Sequence, residues 1–303
     1  MTRGQTTITS DAVHQGADPT VLVREGTARL RAAGVGPARA EAEWLLSRLT
    51  GVRPLELYLD GAGLAPGVPD AFRAQIAERA AGRPLQYLLG EAAFFGRAFD
   101  VRPGVFIPRP ETEAVLAQAL PALRALAPDG GPLRVVDAGT GSGCIAVTLA
   151  CELPACLVLG VEVSWDALQT ARRNLRRHGV EGCVGLVQGA WLDAVGGTWD
   201  ALIANPPYVP AARIDGLPRD VRQEPRQSLD GGTAGLDALR RLLAEARRLI
   251  RPGGALVLEC GEDQVAILLD EARQGPWGVR RPLHDLAGRP RGVLLARATS
   301  QRS

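Results

Sequence analysis

The chain has 303 residues, of which 46% are hydrophobic and 22% are charged, as in a folded globular protein of one or two domains. Its formal net charge is only +2, so no basic field over the whole molecule indicates nucleic acid as a partner. The N-terminal segment is polar and lacks the apolar stretch of a secretory signal, and no run of about 18 apolar residues predicts a membrane span. The five cysteines and three histidines lack the spacing of a metal site. We therefore expect a cytoplasmic protein that has no metal, no membrane contact and no direct nucleic-acid contact, and that acts as a monomer.

The first part of the chain predicts a small helical bundle. Residues 1–18 are polar and predict a disordered N-terminus. Four short helices follow, at about residues 19–34, 37–50, 54–59 and 68–81. Asp18-Pro19 suits a helix start, because aspartate caps a helix and proline fits its first turn. The bundle over residues 19–82 carries no chemical motif, so we interpret it as a substrate-docking domain, with a purely structural role as the alternative.

Gly82-Arg83-Pro84 marks a boundary, after which residues 83–110 predict a linker. Two short strands are predicted in it, at residues 92–99 and 101–107. Asp100, Pro103 and Gly104 at their junction favour a β-hairpin. The segment 107–113 follows the hairpin, and a helix is predicted after it, to about residue 126.

The remainder, residues 111–303, predicts a second, α/β domain. Predicted strands at 133–137, 157–162, 184–188, 201–204 and 255–260 alternate with predicted helices at 143–152, 165–178 and 235–250. This alternation predicts a mostly parallel sheet covered by helices on both faces. Segments 279–284 and 292–297, separated by a turn at 288–290, predict an antiparallel pair that completes a seven-stranded sheet.

A glycine-rich sequence, Asp-Ala-Gly-Thr-Gly-Ser-Gly, links the first strand of this domain to its first helix. Glycines let the backbone turn sharply and approach a ligand, which would face the helix N-terminus. The spacing differs from the NAD fingerprint, whose third glycine would fall at Cys144. Asp137 is able to accept a hydrogen bond from a ligand ammonium. The candidate binding residues are Asp137, Gly139, Thr140, Gly141, Ser142 and Gly143.

Two further residues extend this candidate site. Glu162 closes the second strand, where an acidic residue binds ribose hydroxyls; the alternative is a solvated carboxylate. Trp191 follows the third strand and suits an adenine face or, alternatively, the protein core. An acid, glycines, a helix N-terminus and a ribose-binding acid fit S-adenosylmethionine, which has no pyrophosphate, better than a dinucleotide.

Asn205-Pro206-Pro207-Tyr208 follows the fourth strand. Each proline lacks an N–H and forces the preceding residue into extended backbone, which holds the Asn205 carboxamide at a strand end. A surface turn is the alternative, since Asn-Pro is common in turns. Ligands gather at the carboxyl edge of such sheets, and three motifs fall on that edge. Their coincidence favours a site that grips a planar NH2 group beside the cofactor, with Asn205 adjoining both.

These motifs resemble the class I, Rossmann-like methyltransferases that methylate a planar nitrogen. The segment Phe-Ile-Pro-Arg-Pro-Glu-Thr-Glu at 106–113 indicates a narrower family. It resembles the signature of the protein-(glutamine-N5) methyltransferases of the HemK/PrmC type. Segments 83–87, 224–225, 251–261 and 285–289 support the resemblance, which covers residues 20 to about 297.

The resemblance implies that the substrate is the glutamine of the Gly-Gly-Gln motif in class I peptide chain release factors. It implies that Asn205, Pro206, Pro207 and Tyr208 are catalytic and bind the substrate. The Asn205 side chain and the Pro206 carbonyl would bind the amide hydrogens, and Tyr208 would pack along the glutamine. It further implies that the helical domain binds the release factor and that the hairpin joins the two domains.

Some alternatives stay open at this point. A glutamine of a ribosomal protein and an adenine of nucleic acid are the rival substrates. The family often has an acidic residue where this chain has Ala190, which concerns cofactor affinity rather than reaction type. The segment 209–234 is long enough for a lid, although its arginines Arg213, Arg219, Arg222 and Arg226 also suit plain solvated surface.

Overall fold

A computed structural model of the chain describes residues 18–59, 64–127, 131–153 and 155–299. The predicted disorder of residues 1–18 falls outside this part of the chain, apart from Asp18. The chain divides into two compact units, the first ending at Leu89 and the second beginning at Gly90. Within the described ranges, every helix is too short or too polar to cross a membrane.

The first unit is the predicted helical bundle. Its elements are α1 (Pro19–Ala32), α2 (Ala38–Thr50), a 3-10 turn (Glu56–Tyr58), α3 (Val68–Ala80) and α4 (Leu85–Leu89). The predicted cap of α1 is present, since Asp18 Oδ1 accepts a hydrogen bond of 2.8 Å from the Thr20 N–H. Gly51 ends α2 in the left-handed conformation, at a φ of 76°, which glycine adopts without steric cost.

An ion pair lies inside this bundle and joins α2 to α3. Glu41 and Arg79 are both buried, and two hydrogen bonds of 2.6 and 3.2 Å connect them. Arg79 also donates to the carbonyl of Arg83, just beyond α3. A buried charge is tolerated when it is paired in this way, so the pair holds the two helices in one register.

The helical unit extends beyond its predicted end. Residues 83–110 were predicted as a linker, but the division between the units falls at Leu89, inside that range. The Pro84 carbonyl accepts from the N–H groups of Tyr87 and Leu88, which begins α4, and Leu85 packs in the helical core. Proline interrupts a helix but also suits the start of the next one. The helix therefore does end before Pro84, while the boundary between the domains lies later in the chain.

The predicted hairpin is present, but its predicted strands are wrong. It consists of β1 (Glu91–Phe94) and β2 (Arg97–Asp100), paired antiparallel, and residues 101–107 form no strand. The turn is Phe95-Gly96, with φ values of 52° and 70°. A two-residue hairpin turn with two positive φ values matches the twist of the strands. Phe94 and Phe99 are fully buried in the core of the second unit, so the hairpin belongs to that unit.

The second unit has the predicted seven-stranded sheet. Its strands are β3 (Leu133–Ala138), β4 (Cys156–Glu162), β5 (Val184–Gln188), β6 (Trp199–Ala204), β7 (Ile250–Glu259), β8 (Trp277–His284) and β9 (Pro290–Arg297). Their order is β5-β4-β3-β6-β7-β9-β8. Strands β3 to β7 are parallel, and β9 runs antiparallel to both of its neighbours. The mostly parallel sheet and its antiparallel closing pair are therefore confirmed.

Helices cover both faces of this sheet. They are α5 (Pro110–Arg124), α6 (Cys144–Glu152), α7 (Trp165–Arg177), α8 (Asp237–Leu249) and α9 (Glu262–Arg273), of which α9 was not predicted. Val135 and Ile203 pack with α5 and α6, whereas Val136 and Leu202 pack with α8 and α9. Because alternate side chains face opposite ways, burial on both faces requires the apolar runs seen in the sequence.

In the sheet, β4 lies on one side of β3 and β6 lies on the other, so the strand order reverses at β3. Such a reversal opens a crevice at the carboxyl ends of the two central strands, where ligands bind in open α/β sheets. The glycine-rich loop follows β3, and Asn205 follows β6. The topology therefore places two predicted motifs at one crevice.

Candidate active site

A cavity of about 200 Å³ lies at this crevice, within the second unit. It gathers residues from all the predicted motifs. Those that line it are Gly139, Thr140, Gly141, Ser142, Glu162, Trp191, Asn205 and Pro207. Four other predicted residues, Asp137, Gly143, Pro206 and Tyr208, lie outside its lining.

The loop after β3 is held tightly against β4. The N–H groups of Gly139 and Thr140 both donate to the Val161 carbonyl, at 2.8 and 3.0 Å. Gly139 and Gly141 have φ values of 79° and 56°, in the region that favours glycine. The loop thus presents its backbone to the cavity at the place where the sequence predicts cofactor binding.

Asp137 lies beneath this loop and is completely buried. Its Oδ2 accepts from the Thr140 hydroxyl at 2.6 Å and from the Ala146 N–H at 3.1 Å. Burial raises the pKa of Asp137 to about 7, and the negative charge of Glu162 adds to this, while the two hydrogen bonds lower it. In this structure Asp137 shapes the loop and the start of α6. Its contact with a ligand ammonium stays a prediction.

Glu162 joins two walls of the cavity. One carboxylate oxygen accepts from the Gly141 N–H at 3.0 Å, and the other accepts from the Ser164 N–H at 2.9 Å, at the start of α7. Each oxygen has a second lone pair, so a carboxylate fixed in this way is still able to accept from two hydroxyls of a ribose. Two hydrogen bonds therefore hold this carboxylate, which is not freely solvated, and its contact with a ribose stays a prediction.

Trp191 forms another wall. It adopts a left-handed backbone with a φ of 53°, which is strained for a residue other than glycine and is often found at functional sites. A Cβ atom added at Gly139 would lie 3.6 Å from the Trp191 ring, so the ring stands beside the glycine loop. Trp191 also packs against the core, and its contact with an adenine stays a prediction.

Asn205 projects from the end of β6, as predicted, and it contacts a second signature. Its Nδ2 donates to the Thr112 Oγ1 at 2.9 Å. Thr112 is buried, lies in the first turn of α5 and also lines the cavity. Pro206 is buried behind Asn205, and Pro207 returns to the cavity. The segment 106–113 and the Asn-Pro-Pro-Tyr tetrapeptide therefore meet at one point.

Tyr208 points away from the cavity lining. Its hydroxyl donates to Glu259 Oε1 at 3.3 Å, and its carbonyl accepts from Gln264 Nε2 at 2.9 Å. Burial and the Glu259 carboxyl raise the pKa of Tyr208. Its predicted packing along a substrate glutamine stays a prediction.

Comparisons with known proteins agree with this geometry. A family described as PrmC N-terminal domain matches residues 22–90, and one described as Methyltransferase small domain matches residues 103–217. A release factor glutamine methyltransferase of Moorella thermoacetica is 45% identical over 90% of this chain and 96% of its own length. One from Nitratidesulfovibrio vulgaris is 40% identical over 95% and 97%. The chain belongs to the release factor glutamine methyltransferase family.

More distantly related enzymes share the fold of this chain. The hMettl16 catalytic domain, solved in complex with MAT2A 3'UTR hairpin 6, is 18% identical and superposes with a TM-score of 0.55 over 75% of this chain and 82% of that one. This likeness concerns the methyltransferase fold alone. Its membership of the release factor glutamine methyltransferase family, together with the matching methyltransferase domain, makes the chain an S-adenosylmethionine-dependent methyltransferase.

The cavity of this methyltransferase fits a nucleoside that carries an amino acid. Ser142 Oγ is buried in its lining and has no hydrogen-bond partner among the described residues. Of the described residues that line it, none is an arginine or a lysine, so a pyrophosphate would be held by backbone N–H groups alone. The donor set therefore suits S-adenosylmethionine better than a dinucleotide.

Several site residues of the methyltransferase were missed because no sequence rule assigns them a role. Phe106, Pro108 and Thr112 come from the family signature, and Gln227 and Ser228 come from the long loop. For the first three the sequence signal was the family signature, and for Gln227 and Ser228 it was only their place in the segment predicted as a lid.

Glu224 is a further such residue, and it connects the loop to the signature. It is buried, and its Oε2 accepts from the Ile107 N–H at 2.9 Å, while Oε1 pairs with Arg109. Burial raises the pKa of Glu224, and the Arg109 charge lowers it. The segment predicted as a lid is therefore anchored at its middle. The side chains of Arg213, Arg219, Arg222 and Arg226 are exposed, as solvated surface residues are.

The end of this loop presses on the tetrapeptide. A Cβ atom at Gly235 would lie 2.2 Å from the Tyr208 carbonyl oxygen, and its φ is 73°. A Cβ atom at Gly216, in the same loop, would meet nothing within 4 Å. Only the first position therefore demands glycine.

We expect Gly235→Ala to destabilise the second unit by about 3 kcal/mol and to reduce methyl transfer, because the new Cβ displaces the Tyr208 backbone. Thermal denaturation and an activity assay measure both effects. Gly216→Ala is the matched control and is expected to change neither. Equal melting temperatures for the two variants would show that Gly235 does not hold the tetrapeptide.

Proposed function

We propose that this chain transfers a methyl group from S-adenosylmethionine to the side-chain amide nitrogen, N5, of the glutamine in the Gly-Gly-Gln motif of class I peptide chain release factors. The observation that carries the proposal is the hydrogen bond between Asn205 and Thr112 at the edge of the cofactor cavity. It joins a motif for a planar NH2 group to the signature of the glutamine-specific family. The names of the curated relatives support the same substrate.

The cofactor is held by the residues at the ends of β3 and β4. Glu162 accepts from the ribose hydroxyls, and the backbone of Gly139 and Gly141 approaches the amino-acid part. Trp191 packs on the adenine beside Ala190, which provides no carboxylate. When bound, S-adenosylmethionine supplies an electrophilic methyl group.

The substrate amide is held by Asn205 and its neighbour. A carboxamide nitrogen is a poor nucleophile because its lone pair is delocalised into the carbonyl. The Asn205 carboxamide oxygen and the Pro206 carbonyl, which both lack hydrogen-bond donors among the described residues, accept the two amide hydrogens. This orients the nitrogen so that its lone pair faces the cofactor side of the cavity.

No general base is needed before the methyl group is transferred, because the nitrogen becomes acidic only afterwards and then releases its proton. The apolar side chains of Phe106, Pro108, Ile145 and Val161 exclude water from the cavity. Catalysis therefore depends on orientation and on a dry site.

The helical unit is the docking module for the release factor in this proposal. It exposes large apolar side chains, with Leu55 at 73%, Leu59 at 69% and Trp44 at 47% exposure. Such side chains are candidates for contact with another protein. The enzyme acts as a cytoplasmic monomer, with no direct contact to nucleic acid.

A methyl-transfer assay with labelled cofactor tests the substrate. We expect the purified release factor to be methylated and its Gln→Ala motif variant to remain unlabelled. Labelling of a ribosomal protein or of an adenine in nucleic acid, with no labelling of the release factor, would replace the proposed substrate by one of these.

For cofactor binding, we expect Glu162→Gln to raise the Kd of S-adenosylmethionine about tenfold, because a carboxamide accepts fewer hydrogen bonds from hydroxyl and N–H groups. Isothermal titration calorimetry measures the change. Asp166→Asn, an exposed acid in the first turn of α7, is the control and is expected to bind normally. Unchanged affinity in Glu162→Gln would remove Glu162 from the ribose site.

For catalysis, we expect Asn205→Ala to lower kcat by about 100-fold or more, because the substrate nitrogen loses its orienting acceptor. The Kd of S-adenosylmethionine should stay within about threefold, since orientation of the amide is not part of cofactor binding. Gln223→Ala, an exposed amide in the long loop, is the matched control. Turnover of Asn205→Ala at the parent rate would disprove the amide clamp.

For docking, we expect Leu55→Arg to raise the KM for the release factor about tenfold while the Kd of S-adenosylmethionine stays unchanged, because an exposed apolar contact is lost. Steady-state kinetics with varied release factor measure this. Leu286→Arg changes a side chain that is 93% exposed in the second unit and is the control. An equal KM for both variants would argue against docking at Leu55.

A further inference from the structure

We propose that Glu259 is a positioning residue that sets the orientation of the Asn205 carboxamide through the Thr112 hydroxyl. The inference rests on the proposed function, since it concerns the acceptor that Asn205 offers to a substrate amide. It assigns a role to a carboxyl that the mechanism above does not use.

Glu259 ends β7, the strand that pairs with β6 beside Asn205. It is only 2% exposed. Its Oε1 accepts from the Tyr208 hydroxyl, while Oε2 is buried without a hydrogen-bond partner at normal distance. An orphaned buried carboxylate oxygen is costly, so an acceptor in this place calls for a nearby donor.

Thr112 is the nearby donor. Thr112 contacts Asn205, which follows Ala204, and Ala204 pairs across the sheet with Leu258, the residue before Glu259. The Thr112 hydroxyl lowers the pKa of Glu259, which favours the ionised carboxylate. The same oxygen already accepts from Asn205 Nδ2, which leaves its own hydrogen free to be donated. These residues lie in α5, directly after β6 and at the end of β7, so they are far apart in the sequence and only the fold brings them together.

The negative charge of Glu259 then fixes which groups donate a hydrogen bond and which accept one. An ionised carboxylate only accepts, so Thr112 must donate to it and must accept from Asn205. The two ends of a carboxamide have nearly the same shape, and only their partners distinguish them. Asn205 therefore directs its NH2 group to Thr112 and keeps its oxygen for the N–H groups of the substrate. With the opposite orientation, Asn205 would present donors to the donors of the substrate amide.

Other groups around Glu259 set its charge. Burial raises the pKa of Glu259 to about 7, whereas the hydroxyls of Thr112 and Tyr208 lower it. Glu111 in α5 raises the pKa and Arg291 in β9 lowers it. The adjacent Cys260 thiol is buried and has a raised pKa, so it stays neutral near pH 7.

A protonated Glu259 is able to donate to Thr112, which would then be free to donate to Asn205 and reverse its carboxamide. We therefore expect kcat to rise with pH through about 7 and to level off above it, as Glu259 ionises. This rise, the acidic limb of the kcat profile, should be absent in a variant whose residue 259 cannot ionise.

The test measures kcat, the KM of each substrate and the pH profile for full-length variants acting on the release factor. We expect Glu259→Gln to lower kcat by about 10- to 100-fold, because glutamine both donates and accepts and no longer imposes one order. The KM for S-adenosylmethionine should stay within about twofold. Glu262→Gln, an exposed acid at the start of α9, is the matched control and should leave kcat unchanged.

A double-mutant cycle separates positioning from a merely structural role. Thr112→Val should lower kcat to a similar degree and remove the pH limb, and Thr112→Ser should restore both. Adding Glu259→Gln to Thr112→Val should cost nothing more, because the chain of hydrogen bonds is already broken.

Additive losses in the cycle, or a wild-type kcat and pH profile in Glu259→Gln, would overturn the inference. If Glu259→Gln fails to fold, the pH profiles of the wild type, Thr112→Val and Thr112→Ser decide: a limb that persists in Thr112→Val overturns it. A wild-type chain that labels no Gly-Gly-Gln glutamine would instead overturn the proposed function, so the two failures are distinguishable.

Discussion

The active site depends on one hydrogen bond, of 2.9 Å, between the carboxamide of Asn205 and the hydroxyl of Thr112. Asn205 is held at the end of β6 by the two prolines that follow it, because they block any continuation of the strand. Thr112 is held in the first turn of α5. The bond therefore joins two elements at the edge of the cavity, where we propose that the substrate amide binds. A carboxamide on a mobile loop would lack this precision.

Buried carboxyl groups recur around this bond. Asp137 supports the glycine-rich loop, Glu224 anchors the long loop, and Glu259 accepts from the Tyr208 hydroxyl. Each is nearly inaccessible to solvent, and burial raises the pKa of each. Such groups destabilise the fold unless donors satisfy them, so each of the three, in β3, in the long loop and at the end of β7, restricts the conformation of the chain around it. Asp137 and Glu259 have pKa values of about 7, which makes the geometry around them sensitive to protonation near neutral pH.

Much of this architecture was predictable, for physical reasons that act locally. The alternation of apolar runs and amphipathic helices required a parallel sheet, and Asp18 with its following proline required a helix start. The hairpin strands were misplaced because Phe95 occupies a left-handed turn position that usually takes asparagine or glycine. The helical unit continued past Pro84 because proline suits both the end of one helix and the beginning of the next.

By itself, the sequence determined the class of chemistry, since the glycine spacing, Glu162 and the Asn-Pro-Pro-Tyr tetrapeptide, each ambiguous alone, together favour a methyltransferase. Only the tertiary structure decided which side chains meet. It placed Asp137 beneath the loop rather than in the cavity, turned Tyr208 toward Glu259, and brought Thr112 to Asn205. These contacts join residues far apart along the chain. Local propensity does not encode them, because they depend on strand order and on the burial that the whole sheet imposes.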